Sequence, residues 1–166
     1  MNQTQTPPTR ILALDPTTKG FGYTIFELPF RLIAWGIASI SGDKHAGAIA
    51  RFTKLLDHSQ PQAVVLEDPE APGSRRRYRV QRLIEALVAL ARARGIAVYT
   101  VARKAILDRF SSTEERATKY SIAEALARQF PELAKKLPPH RKAYMSQDER
   151  MAIFDALSLA VTHASA

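Results

Sequence analysis

The chain has 166 residues, 46% of them hydrophobic, enough for one well-buried domain and too few for two. Its 24 lysines and arginines against 16 aspartates and glutamates give a net charge of +8, a balance that favours a polyanionic partner such as nucleic acid or an acidic membrane surface. Cysteine is absent, which excludes a disulfide framework and a thiolate metal site and leaves oxygen or imidazole as metal donors.

Residues 1–9 are polar and carry Pro7 and Pro8, without the basic-then-apolar pattern of a signal peptide, and no apolar run approaches the ~18 residues of a membrane span. The expectation is a short disordered tail, 1–9, ahead of one domain, 10–166, in a soluble cytoplasmic protein. Compact apolar runs predict strands over 10–16, 20–27 and 31–38, joined as a meander through Thr17-Thr18-Lys19 and Leu28-Pro29-Phe30. Asp43 caps a predicted helix over 44–58, and 62–67 reads as a buried strand. Helical spacing of Val80, Leu83, Ile84, Leu87, Val88 and Ala91 predicts a helix over 77–94, stopped by Gly95 before a strand over 96–101. A short helix over 102–110 follows, and Ser112 or Thr113 caps another that runs to 129, with Pro131 breaking the pattern. The stretch 138–144 is a loop, and Ser146 with Glu149 forms a capping box for a last helix ending near 163. The result is an α/β fold: a five-stranded mixed sheet, three antiparallel strands followed by two parallel ones, with helices on both faces.

Three acidic residues stand out against this frame. Asp15 and Glu67 each close an apolar strand, and Asp155 lies within the apolar run Met151-Ala152-Ile153-Phe154-Asp155-Ala156-Leu157. A carboxylate beside a core is costly unless paired or bound to a cation, so the three placements point to one shared metal site. Strand C-terminal ends face a common crevice in such sheets, which would make Asp15 and Glu67 neighbours. The last helix could carry Asp155 there, with Asp148 seven positions earlier on the same face. Oxygen donors suit Mg²⁺ or Mn²⁺, and two ions about 4 Å apart could activate a water and stabilise the leaving oxygen of a phosphodiester. Three of the four acids have a plainer reading: Asp15 as a turn-starting Asp-Pro, Glu67 as part of an acidic loop with Asp68 and Glu70, and Asp148 as a residue serving only the helix dipole, whereas Asp155 is flanked by apolar residues on most sides.

In order along the chain, Ile11-Leu12-Ala13-Leu14-Asp15-Pro16 with Gly22-Tyr23, Val64-Val65-Leu66-Glu67, Ala117-Thr118-Lys119-Tyr120-Ser121-Ile122, and Asp155-Ala156-Leu157-Ser158-Leu159-Ala160 resemble the motifs of the RuvC family of Holliday-junction resolvases. The resemblance implies an RNase H-like fold, Asp15, Glu67 and Asp155 as metal ligands, and Lys119 as an active-site lysine that neutralises the scissile phosphate. It implies a divalent-metal-dependent endonuclease acting on branched DNA, with Mg²⁺ or Mn²⁺ as cofactor. Paired nicks imply a two-fold homodimer, to which Phe52, Trp35 and the 77–94 helix are the contributors considered. The chain departs from the family pattern at Thr17-Thr18, where Gly-Ser is usual. It departs again at Asp68-Pro69-Glu70, where the family has an aromatic. The family's fourth ligand position, three before the final Asp, is Ala152 here, so either Asp148 substitutes or the site has three carboxylates.

Ser74-Arg75-Arg76-Arg77-Tyr78-Arg79 is a dense cationic run with an aromatic interleaved, suited to phosphates and to stacking on an unpaired base, its plainer reading being a solvated helix start. Arg75, Arg76, Arg77 and Arg79 are therefore nucleic-acid candidates, with Lys19, Arg103, Lys104 and Arg109 as weaker phosphate contacts. His140 and His163 read as bystanders. Three rival readings stand beside the resolvase. One is a phosphate loop at Asp15-Pro16-Thr17-Thr18-Lys19-Gly20 like that of sugar kinases and actin-like ATPases, for which no second glycine-rich loop exists. The others are a YqgF-like RNA-processing nuclease and an impaired domain of this fold that binds nucleic acid without cutting it.

Overall fold

The computed structural model describes residues 9–74 and 76–166, so most of the expected tail and Arg75 lie outside the described residues. The elements run β1 (Arg10–Thr17), β2 (Gly20–Glu27), β3 (Arg31–Ser39), α1 (Lys44–Ser59), β4 (Ala63–Glu67), α2 (Tyr78–Ala93), β5 (Ala97–Val101), α3 (Arg103–Phe110), α4 (Lys119–Gln129), a 3₁₀ turn at Pro131–Lys136, and α5 (Met151–Ala164). They build one five-stranded sheet in the order β3-β2-β1-β4-β5, antiparallel across β3, β2 and β1 and parallel across β1, β4 and β5. This is the mixed sheet the sequence predicts, and no helix among the described residues is long and apolar enough to cross a membrane.

The two-residue period of a strand decides what each face buries. Ile11, Ala13, Ala63 and Val65 point into a core shared with α3, α4 and α5, while Leu12, Leu14, Val64 and Leu66 point into a second core under α1 and α2. Continuing the first series by one step puts Asp15 and Glu67 on the α5 face. The helix that carries Asp155 is thus on the same side of the sheet. α5 is apolar almost all round, as a helix must be when it lies against β1 and β2 and is itself covered by α4.

The close fit of α5 depends on Gly22, which pairs with Asp15 in the β1–β2 ladder. A Cβ at Gly22 would come 2.4 Å from the backbone of Ala152, so a glycine here and a small side chain on α5 let helix and strand approach. Ala152, whose methyl has no donor atom, packs against Gly22 and brings no ligand to the site. Asp43 caps α1 as expected, its carboxylate accepting from the Ala46 amide at 3.0 Å, and Gly95, at φ +72°, ends the turn after α2.

Two helix starts differ from expectation. α4 begins at Lys119 under a reciprocal cap, in which the Ser121 amide donates to Thr118 Oγ1 at 3.1 Å and the Thr118 amide to Ser121 Oγ at 2.8 Å. Ser112 caps no helix because its hydroxyl accepts from the Glu115 amide, closing a local turn instead. α5 begins at Met151, not at Ser146, and has no side-chain cap. The Arg150 amide donates to the Asp148 carboxylate at 2.9 Å, so Asp148 belongs to the turn before the helix and not to its face. Phe52, considered as an interface residue, is wholly buried in the α1/α2 core and unavailable to a partner, while Trp35 packs half-buried against the α5-side core.

Gly22→Ala is expected to push α5 off the sheet and to destabilise the fold by about 1–3 kcal/mol, the usual cost of overpacking. A denaturant midpoint equal to that of the native chain would contradict this account of the β2–α5 contact.

Candidate active site

Asp15 near the end of β1 and Glu67 at the end of β4 are only 3% and 5% exposed. They line a cavity of about 270 Å³ together with Arg76, Arg103, Lys119 and Asp155. The remaining wall is largely aliphatic, from α3, α4 and α5. The parallel β1–β4 pairing brings the first two acids side by side, and the passage of α5 across that end of the sheet adds the third.

What joins them is Arg76, from the segment between β4 and α2. Its Nη2 donates to Asp15 Oδ1 at 2.5 Å and also to Glu67 Oε2, its Nε donates to Glu67 Oε2 at 2.8 Å, and its Nη1 to the Pro16 carbonyl at 2.8 Å. One nitrogen thus serves both carboxylates. Burial works against the charge of Arg76, but the two anions overcome that and hold its pKa above the ordinary arginine value. The sequence places Arg76 among residues for DNA phosphates, whereas in the folded chain it faces inward as the counter-ion of the acidic pair.

Asp155 sits beside this pair. Burial and the nearby Asp15 charge push its pKa up to about 7, against the opposing pull of Lys119 and Arg76. Lys119, the first residue of α4, donates from Nζ to Asp155 Oδ2 and to Gln147 Oε1, both at 3.2 Å. The reciprocal Thr118–Ser121 cap fixes the turn from which this lysine projects.

The donor set fits a hard divalent cation, since the cavity is lined by carboxylates, with no imidazole or sulfur ligand, and these acids already draw two cationic side chains to themselves. As they stand, with the guanidinium between Asp15 and Glu67, no three acidic or imidazole groups among the described residues are grouped to hold one ion.

The other expected residues are spread more widely. Asp148 does not line the cavity; Arg150 clamps it through Nε at 3.0 Å and Nη2 at 2.8 Å and lowers its pKa. Arg103 lines the cavity, whereas Lys104 is turned to Asp108 at 2.6 Å. Lys19 lies on the β1–β2 turn with its Nζ 3.5 Å from Glu149. Arg77 and Arg79 line a different cavity, beside Tyr78. His140 packs edge-on to Tyr120, and His163, its pKa lowered by burial, lies against Tyr99. Sequence reasoning missed the inward role of Arg76. It also missed Ser158, whose hydroxyl donates to the Asp155 carbonyl at 2.6 Å one turn along α5.

No family model and no curated protein matches the chain. Solved structures do. Thermus thermophilus RuvC in complex with a Holliday junction substrate is 19% identical over 94% of this chain and 92% of that one, with a TM-score of 0.65. A second Thermus thermophilus RuvC structure is 18% identical over 94% and 93%, with a TM-score of 0.66. The yeast mitochondrial Holliday junction resolvase is 14% identical over 95% of this chain and 78% of that one, with a TM-score of 0.66. The RNase H-like fold that the motifs imply is the fold of these proteins.

Two outcomes follow from the electrostatics. A carboxyl whose pKa rises on folding binds its proton more readily in the folded state, so its contribution to stability falls as pH climbs from about 4 through about 7. Asp155→Asn removes that loss. In metal-free buffer the variant is expected to melt higher than the native chain at pH 8, with the difference shrinking toward pH 5, and a difference independent of pH would contradict the assignment. Arg76→Gln leaves two buried carboxylates facing each other and is expected to lower stability by about 3–5 kcal/mol in metal-free denaturant titrations. A loss below about 1 kcal/mol, the scale of an exposed pair, would show that the bridge is not a buried one.

Proposed function

We propose that the chain is a divalent-metal-dependent, structure-selective DNA endonuclease, a RuvC-like resolvase that nicks branched DNA. The observation that carries the reading is the gathering of Asp15, Glu67, Asp155 and Lys119 around one cavity on this fold. Asp15, Glu67 and Asp155 are the residues that hold Mg²⁺ or Mn²⁺, two ions in our reading, and Asp148 takes no part. The chemistry a bound ion pair supplies is an activated water and a charge to offset the leaving oxygen of the phosphodiester.

The chain's own residues do the rest. Lys119 orients Asp155 through the 3.2 Å contact and presents a positive charge to a phosphate as its negative charge grows. Burial and the Asp15 charge favour the protonated form of Asp155, so it would have to release that proton to ligate an ion, and metal binding is expected to weaken as pH falls. Ile106, Leu107, Ile122 and Leu159 keep the cavity wall dry, which strengthens every charge interaction inside it. Arg103 reaches the same cavity and serves as a phosphate contact. Arg76 holds Asp15 and Glu67 together and would have to withdraw for a divalent cation to be held between them. Resolution of a junction needs two matched nicks, so the reading includes a two-fold dimer.

A second reading has two observations in its favour. With Arg76 bridging two of the acids and Ala152 packed on Gly22, the domain would bind nucleic acid without cutting it. Titration of Mg²⁺ and Mn²⁺ against a synthetic four-way junction separates the two, with linear duplex and an RNA–DNA hybrid alongside. We expect metal-dependent nicking of the junction and a loss of about 10²-fold to 10³-fold or more in Asp15→Asn and Glu67→Gln, the scale of removing a preorganised electrostatic group. Full activity in Asp15→Asn would overturn the mechanism. No cleavage in either metal would favour the binding reading, and cleavage of the hybrid alone would move the substrate to RNA.

A further inference from the structure

Lys119, which lines the acidic cavity, is held at both ends. Its backbone is fixed by the reciprocal Thr118–Ser121 cap at the start of α4. Its ammonium ends a flexible four-carbon stem, and the side chain is 42% exposed, so packing alone does not decide where Nζ sits. Two acceptors decide it: Asp155 Oδ2 and Gln147 Oε1, each at 3.2 Å. An ammonium has three N–H donors, so two are engaged and one is left for a ligand. A single contact would let Nζ swing about its partner, whereas two contacts from different points of the chain set its direction.

Gln147 lies between the 3₁₀ turn and α5, and the chain on either side of it is tied down. Before it, the Met145 amide donates to the Lys142 carbonyl at 3.0 Å and Arg141 Nη1 to the Met145 carbonyl at 3.2 Å, closing a turn. After it, Arg150 clamps Asp148, and Glu149 lies 3.5 Å from Lys19 on the β1–β2 turn. The Asp148 and Glu149 carbonyls then accept from the Met151 and Ala152 amides, both at 3.1 Å, and lead straight into α5. Gln147 and Asp155 are thus carried on one anchored run, and together they brace the lysine. An amide suits this task, because its oxygen accepts as a carboxylate does but adds no negative charge to hold Lys119 back from a phosphate or to repel one. Gln147 is itself exposed, so its contact adds little to the stability of the fold. What the contact changes is where the ammonium sits.

We propose that Gln147 is a positioning residue, whose amide oxygen acts with Asp155 to hold the Lys119 ammonium at a fixed point beside the acidic cavity, one N–H left for a phosphate oxygen. The role of that phosphate rests on the nuclease reading above, to which Gln147 adds the group that sets the lysine's place.

Two measurements on the full chain test this. The first, in EDTA and without DNA, reads the order of the Lys119 ammonium from the nuclear magnetic relaxation of its labelled nitrogen, with Lys119→Arg to identify the signal. Gln147→Ala is expected to lower that order to the level of the other surface lysines, and Gln147→Glu, which keeps an acceptor in this place, to restore it. The second is single-turnover cleavage of a synthetic four-way junction in Mg²⁺ over a range of junction concentrations. Gln147→Ala is expected to cut about tenfold more slowly at saturation, with the half-saturating concentration within about twofold of native, because the lysine is displaced while the remaining contacts persist. Melting temperatures equal to that of the native chain show that the variants are folded. Unchanged ammonium order in Gln147→Ala, or loss of order in both variants, overturns the proposal whatever the cleavage rate. Lost order with a native cleavage rate overturns it too. A native chain that leaves the junction uncut, while Gln147→Ala frees the ammonium, overturns the nuclease reading and keeps the placement of Lys119 by Gln147.

Discussion

Two carboxylates at the ends of adjacent parallel strands, each almost wholly buried, repel one another and lose hydration, and a fold that keeps them must place a cation between them. Arg76 is that cation here, sharing one nitrogen between Asp15 and Glu67 and anchoring itself on the Pro16 carbonyl. Asp155 adds a third acid from above the sheet and draws Lys119 to itself. The placement of α4, the approach of α5 through Gly22, and the path of the segment before α2 all converge on this neutralisation. In a site that recruits its own side chains as counter-ions, an added divalent ion would have to displace a guanidinium competitor before the carboxylates could close on it.

The arrangement also divides the surface by charge. The acidic cavity lies on the α3, α4 and α5 side of the sheet end, and a basic groove lined by Arg77 and Arg79 lies between the β1–β2 turn, the β3–α1 loop and the start of α2. The net charge of +8 is thus not a uniform coat but includes a cationic groove bordering a buried acidic cluster.

Much of this was legible in the sequence because it follows from periodicity. Counting by twos from Ile11 and from Ala63 brings Asp15 and Glu67 to one face, and the apolar flanks of Asp155 make solvent exposure the costly alternative. Gly22-Tyr23, noted as a motif, has a physical reason that only packing reveals, since the backbone of Ala152 fills the space a Cβ would need. What periodicity could not decide was the choice among near-equivalent local contacts. Arg75, Arg76, Arg77 and Arg79 look alike in a cationic run, and the direction of Arg76 depends on two acids 9 and 61 residues away. Ser112 and Thr118 both suit a cap, and the hydrogen bond Ser112 makes within its own turn leaves the helix start to Thr118. Ser146 and Glu149 match a capping pattern, but the Asp148–Arg150 contact holds that segment as a turn and delays α5 to Met151. Asp148 lies in that turn, off the helix face on which its spacing from Asp155 predicts it.

The central claim is that Asp15, Glu67 and Asp155 form one cation site in which Arg76 is the occupant to be replaced. Anomalous scattering from crystals of the full chain soaked in Mn²⁺ reads this directly. The account predicts a peak bonded to carboxylate oxygens of all three residues, with the Arg76 guanidinium withdrawn from between Asp15 and Glu67. A peak elsewhere on the chain, or Arg76 still bridging the pair at saturating Mn²⁺, would contradict it.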